Sequence, residues 1–188
     1  LRLDGILMSY EAQGSDVSCI VPTHARPGEL SDALDSIASQ TMQSREILVV
    51  TDLQDPQTAS IVEGYARSGL PVRLLLNDVH PGASGSRNLG ALHAKGTFLA
   101  FLDDDDIWNP TYLATAMKHL NFEDIDMVVS GIRRVRNDGR VQRFVMPASV
   151  DAAEWFDRNP GLTGSNVIIR RTVFDQVGGF DINLPVMN

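Results

Sequence analysis

Between residues 17 and 102 the chain alternates short apolar runs with longer stretches whose apolar positions recur every three or four residues. The runs are 17–21 (VSCIV), 46–50 (EILVV), 72–76 (VRLLL) and 98–102 (FLAFL). An apolar run of this length between turn-forming residues predicts a strand buried on both faces. Pro22 is expected to stop the first one. The stretches between them predict helices. Residues 29–40 carry apolar side chains at 30, 33, 34, 37 and 38; residues 57–67 place Ile61, Val62, Tyr65 and Ala66 on one side; residues 84–94 bring Leu89, Leu92 and His93 together. Strand and helix in regular alternation predict βαβ units. The expected fold is a single α/β domain with a mixed, mostly parallel sheet flanked by helices. Ligands in such sheets bind in the crevice beyond the carboxyl ends of the strands. That directs attention to residues 22–27, 51–55 and 103–106.

The second half is less regular. A helix over 110–120 is opened by Asn109-Pro110, with proline in its first turn. Short strands are expected at 127–130 and 132–135. A turn at Asn137-Asp138-Gly139 then allows 140–145 to return as a hairpin partner. The apolar run 166–169 precedes a short helix, 171–177, ended by Gly178-Gly179. Residues 1–16 show no period and read as a leader or linker, so the domain is expected to span 17–188.

Composition narrows the ligand. A net charge of -8 is wrong for a nucleic-acid binder, which needs a basic face to neutralise phosphates. It leaves room for a small anionic ligand served by a few local cations or one metal ion. The single cysteine, Cys19, lies in an apolar run and reads as a small buried hydrophobe. With no disulfide framework, no 20-residue apolar span and no secretory signal pattern, the expected location is cytoplasmic, peripheral at the inner membrane face through parts outside this chain.

Four features carry candidate chemistry. Asp103-Asp104-Asp105-Asp106 follows directly on a buried strand, and four adjacent carboxylates repel one another unless a cation relieves them. Oxygen donors without Cys or His suit Mg²⁺ or Mn²⁺. Asp106 alone is as well explained as a residue starting the following helix. The tip of the first strand, Pro22-Thr23-His24-Ala25-Arg26-Pro27, offers Arg26 to a phosphate. Asp52, just past EILVV, can accept from a ribose hydroxyl or a base N–H, or make an Asx-turn. The small-residue stretch Gly82–Gly90 leads into a helix whose amino end can face an anion. Within it Arg87 opposes the helix dipole, which implies that a ligand or a carboxylate holds it.

Taken together, VSCIVPTHARP, SIASQTMQSREILVVTD, GASGSRNLGALHAKGTFLAFLDDDDIWNP and SNVIIRRTVFDQVGGFD resemble the GT-A glycosyltransferases, and within them the inverting family 2. The resemblance runs from Val17 to the end of the chain. It implies that Pro22 and Thr23 contact a nucleotide base through the backbone, and that Asp52 holds a uracil-like base. Arg26 and Arg87 would lie near the diphosphate, with Asp103 and Asp104 towards the ribose and sugar. Asp105 would be the principal metal ligand and Asp103 the first acid of the D-x-D pattern. The implied activity moves a sugar from a nucleoside diphosphate sugar, UDP-linked, to a glycan, lipid-carrier or polymer acceptor with inversion, aided by Mn²⁺ or Mg²⁺, as in polysaccharide biosynthesis.

Three departures stand out. The second strand ends Thr51-Asp52 where the family has two acids. The first loop has His24-Ala25 where the family has an aromatic and an asparagine, so His24 is expected to stack on the base instead. The family's general base follows the Gly-Gly-Phe-Asp segment, and here INLPVMN supplies none, so it is expected beyond Asn188; Asp181 reads as structural. The alternatives are a nucleotide-sugar-binding module without turnover and, further off, a nucleotidyltransferase, which needs a Gly-rich basic loop after the first strand.

Overall fold

The computed structural model describes residues 15–122, 125–136, 138–147, 159 and 161–183. The four apolar runs become the parallel strands β1 (Ser15–Thr23), β2 (Ser44–Thr51), β3 (Val72–Leu76) and β4 (Phe98–Phe101). Two later strands extend the same sheet, β5 (Met127–Val129) and β8 (Val167–Arg170). The order is β3-β2-β1-β4-β8-β5, with β8 antiparallel to both of its neighbours. Strands β6 (Ile132–Val135) and β7 (Val141–Phe144) form a separate antiparallel pair. The helices are α1 (Pro27–Ala38), α2 (Pro56–Arg67), α3 (Ala83–His93), α4 (Tyr112–Phe122) and α5 (Arg171–Gln176).

Alternate strand residues feed two cores, as the pleat requires. Val17, Cys19, Val21, Ile47 and Val49 face one way, against Leu30, Leu34 and Ile37 of α1 and Leu113 and Met117 of α4. Ile20, Leu48, Val50, Leu99 and Phe101 face the other, against Ala91 of α3 and Phe174 of α5. Cys19 is fully buried in the first core, and burial pushes its thiol up to about 12, so it behaves as a small hydrophobe.

Several expectations are corrected. The first strand starts at Ser15, before the boundary expected after residue 16; Asp16 is held by Thr97 and by Arg45, the latter at 2.9 Å. Residues 1–14 lie outside the described residues. Pro22 does not stop β1, which pairs with β2 through Thr23. Its missing N–H costs nothing there, because β4 pairs only with residues 17–20 of β1. Ala66 of α2 is exposed. Helix α4 starts at Tyr112, after a turn in which Asn109 Oδ1 accepts from the Thr111 N–H at 3.2 Å. Asp106 is therefore not the start of that helix. At the hairpin turn Asn137 is outside the described residues, while Gly139 has φ +78°, as a tight turn demands.

The largest correction is the packing face of α3. Leu92 is 79% exposed; the buried positions are Gly85, Ser86, Gly90 and Ala91. Small residues bring this helix close to the sheet, and a Cβ added at Gly90 would stand 2.5 Å from Ile20 Cγ2 and 3.3 Å from Val50 Cγ2. Gly90→Val is accordingly expected to cost about 2–3 kcal/mol by overpacking. Calorimetry should then read a melting temperature roughly 5–10 °C lower.

Candidate active site

The carboxyl ends of β1, β2 and β4 converge on the acidic run. Pairing of β1 with β4 continues one residue past the strand, the Leu102 N–H donating to Ile20 O at 3.0 Å. The chain then turns, the Asp106 N–H donating to Asp103 O at 3.1 Å. The four acids consequently have different surroundings. Asp104 points inward and is 5% exposed. It accepts from Thr23 Oγ1 at 2.8 Å, from Arg26 Nη1 at 3.2 Å, and from the His24 backbone N–H. Burial, and to a lesser degree the neighbouring Asp105 charge, push its carboxyl above the usual range against those donors. Asp105 points outward and takes Arg26 Nη1 at 3.0 Å. Asp103 is paired with Arg87. Asp106 accepts from the Ser165 hydroxyl and is also pushed up, by desolvation first and then by Asp105 and Asp103.

Both arginines expected near a diphosphate are thus held by acids. Arg26 bridges Asp104 and Asp105 from a half-exposed position. It reaches them because Ala25 takes the left-handed backbone, φ +51°, which is uncommon without glycine. Arg87 is far more enclosed, its side chain 12% exposed, with its guanidinium 5.3 Å from the centre of the Phe180 ring.

Two residues that sequence reasoning passed over shape this turn. Strand β8 runs antiparallel to β4, so its amino end lies beside the carboxyl end of β4. Ser165 there accepts from the Asp103 N–H at 3.0 Å, and its carbonyl takes Trp108 Nε1 at 2.8 Å. Gly164 lies against the ion pair itself: an added Cβ would be 2.5 Å and 2.6 Å from the Asp103 oxygens and would clash with Arg87 Nη2. Buried Gln40 braces the far side, donating to Asn109 O at 2.8 Å and accepting from the Leu113 N–H at 3.0 Å. No local signal marks the Gly164 and Ser165 contacts, because β8 lying beside β4 creates them.

Asp52 lies at the end of β2, but its oxygens already have protein partners. Oδ1 is 2.6 Å from His24 Nδ1, and Oδ2 accepts from the Gly82 N–H at 2.8 Å. His24 therefore lies against Asp52 in this structure. Gly82, with φ +102°, turns the chain into α3. On the other side of α3, Asn88 grips the backbone of Phe180, donating to its carbonyl at 2.8 Å and accepting from its N–H at 2.9 Å. Asp181 caps its own turn, accepting from the Asn183 N–H at 2.8 Å. A cavity of about 520 Å³ lies between residues 76–80, α3 and residues 178–182, beside the acids rather than over them.

Could these acids hold a divalent ion? Asp103 and Asp105 each have one oxygen on an arginine and the other without a hydrogen-bond partner among the described residues. An all-oxygen donor set suits Mg²⁺ or Mn²⁺. Among the described residues no group of three or more His, Cys, Asp or Glu could hold a metal. A magnesium-type site needs only one or two carboxylates when ligand phosphates supply the remaining oxygens. The residues fit.

A mixed sheet, parallel over β3-β2-β1-β4, with an acidic run at its carboxyl edge has the architecture in which α/β domains bind ligands beyond their strand ends. The Glycosyl transferase family 2 model matches residues 18–178, and the chain belongs to that family. It is 29% identical, over 85% of its length and 62% of the relative's, to the UDP-Glc:alpha-D-GlcNAc-diphosphoundecaprenol beta-1,3-glucosyltransferase WfgD of Escherichia coli. Among solved structures it resembles S. aureus TarS 1-349 in complex with UDP (TM-score 0.68, 26% identity, 90% of this chain and 51% of that one). It shares its fold with the mannosyltransferase PcManGT of Pyrobaculum calidifontis in complex with GDP-Man and Mn²⁺ (TM-score 0.69, 22% identity, 91% and 49%). The chain thus spans under two thirds of that curated relative and about half of each structure.

Proposed function

We propose that this protein transfers a glycosyl group from a nucleoside diphosphate sugar, UDP-linked, to a hydroxyl acceptor with inversion. The observation that carries this reading is the division of labour in the acidic run. Asp104 is buried against Thr23 and Arg26, while Asp103 and Asp105 flank it, each with an arginine on one oxygen and the other oxygen free of hydrogen-bond partners among the described residues. Asp105 and Asp103 would hold Mn²⁺ or Mg²⁺, which when bound supplies charge stabilisation to the departing diphosphate. Arg26 is half exposed and can move from Asp105 to a phosphate. Pro22 and Thr23 would face the base through their backbone. Asp52 would read it with the lone pairs that His24 and Gly82 leave free, since a carboxylate has about four acceptor sites. The UDP bound by TarS and the acceptor in the name of WfgD support a UDP donor and a lipid-linked diphosphate acceptor. Such an acceptor puts the reaction at the inner face of the membrane. No helix among the described residues is long and apolar enough to cross a membrane.

Calorimetric titration with UDP, GDP and their sugar conjugates, with and without Mn²⁺, tests the reading. UDP is expected to bind at least about tenfold more tightly with the ion than without it. If none of these ligands shows metal-dependent binding, the assignment fails.

A further inference from the structure

The donor reading leaves the hairpin β6–β7 unused. Residues 131–147 contain five arginines and one acid, Asp138, in a chain whose net charge is -8. All five arginines are exposed. The register places Arg133 directly opposite Arg143. Like charges facing each other across a strand pair destabilise it, and neither has an ion-pair partner among the described residues. Arg140, by contrast, is paired with Asp138 at 2.5 Å.

The pleat puts Val135 and Val141 on the same face as that arginine pair, and Val145 follows directly after the end of β7. Val135, Val141 and Val145 are 60%, 52% and 85% exposed. A two-stranded hairpin without cover is at best marginally stable in water. Among the described residues nothing covers this face, and a partner that suits it is anionic and apolar together. A soluble polyanion would satisfy the arginines but leave the valines in water. The headgroup layer of an anionic bilayer satisfies both, since phosphates take guanidinium forks while short apolar side chains enter the acyl boundary.

The hairpin is also in the right place. Strand β5 runs parallel to β4, both being antiparallel to β8, so it leaves the sheet at the same edge as Asp103–Asp106. Asn166 Nδ2 fixes the root of the hairpin by donating to Ser130 O at 2.7 Å.

We propose that the Arg133–Arg143 face of β6–β7 docks on anionic phospholipid headgroups, setting the acidic site against the membrane surface. The inference rests on the proposed membrane-side acceptor for its purpose, but vesicle binding itself is independent of the donor.

The test is co-sedimentation of the chain with vesicles of phosphatidylcholine alone or with roughly 30% phosphatidylglycerol. Binding is expected only to the anionic vesicles and is expected to weaken with added salt. Arg133→Gln with Arg143→Gln should lower the partition coefficient about 30-fold. Val141→Ser with Val145→Ser should lower it severalfold, while circular dichroism and the UDP affinity of both variants stay at the parent value. Equal binding to neutral vesicles, undiminished binding by the arginine variant, or binding to soluble polyphosphate but not to vesicles would each overturn the proposal. Vesicle binding without any UDP binding would overturn the donor reading and leave this one standing.

Discussion

Asp105→Ala is expected to remove the metal dependence of UDP binding, with a loss of at least about 100-fold in affinity measured in Mn²⁺, because a charge-stabilising ion contributes several kcal/mol. The fold should hardly notice. The Asp105 side chain is 56% exposed, and its partner Arg26 is half exposed and keeps its second bond, to Asp104. Exposed pairs of this kind contribute about 0–1 kcal/mol. The melting temperature should therefore stay within roughly 4 °C of the parent. Calorimetry and thermal melting read the two effects separately. Unchanged UDP affinity in Mn²⁺ would show that Asp105 is not a ligand.

Gly164→Ala should show the opposite pattern, a loss of stability from a single methyl group. The added carbon falls on the Asp103–Arg87 ion pair, and neither partner can withdraw freely. Arg87 is enclosed against the Phe180 ring, and the Asp103 amide is fixed by Ser165. Breaking a fully buried pair costs about 3–5 kcal/mol. Asp103 is 28% exposed, so about 2–3 kcal/mol is the appropriate expectation after solvent screening. That corresponds to a melting temperature lower by roughly 5–10 °C. Gly28→Ala is the control, because an added Cβ there meets nothing within 4 Å. If the two variants melt alike, the packing of Gly164 on the ion pair carries no energetic weight.

The sheet was legible for a physical reason. Strands buried on both faces must be continuously apolar, and β1 to β4 are. The acidic run was legible because four adjacent carboxylates after such a strand conflict with local electrostatics. That a carboxylate could hold Arg87 was legible, but not that it would be Asp103, nor that Arg26 would be held by Asp104 and Asp105. The Asp104 and Asp103 carboxylates lie 78 and 16 positions away from the two arginines along the chain and meet them only once β4 lies beside β1. Helix α3 misled in a different way. Periodicity favours leucines, whereas the helix packs through glycine, serine and alanine because it lies so close to Ile20. Gly164 and Ser165 gave no local signal, since an antiparallel insertion next to β4 is a property of topology.

Consecutive residues of α3, Arg87 and Asn88, serve two different stretches of chain. One meets Asp103 and the other the backbone of Phe180, while the Phe180 ring also covers Arg87. The edge that carries Asp103 and the segment around Phe180 are therefore not separable modules. Recombination between family members that replaced the segment from Gly161 onward while keeping α3 would retain the acids but lose the Phe180 contacts that enclose Arg87 and hold Asn88. The unit that holds together across this edge is α3 with residues 161–183, since Arg87 and Asn88 are fixed from both sides at once.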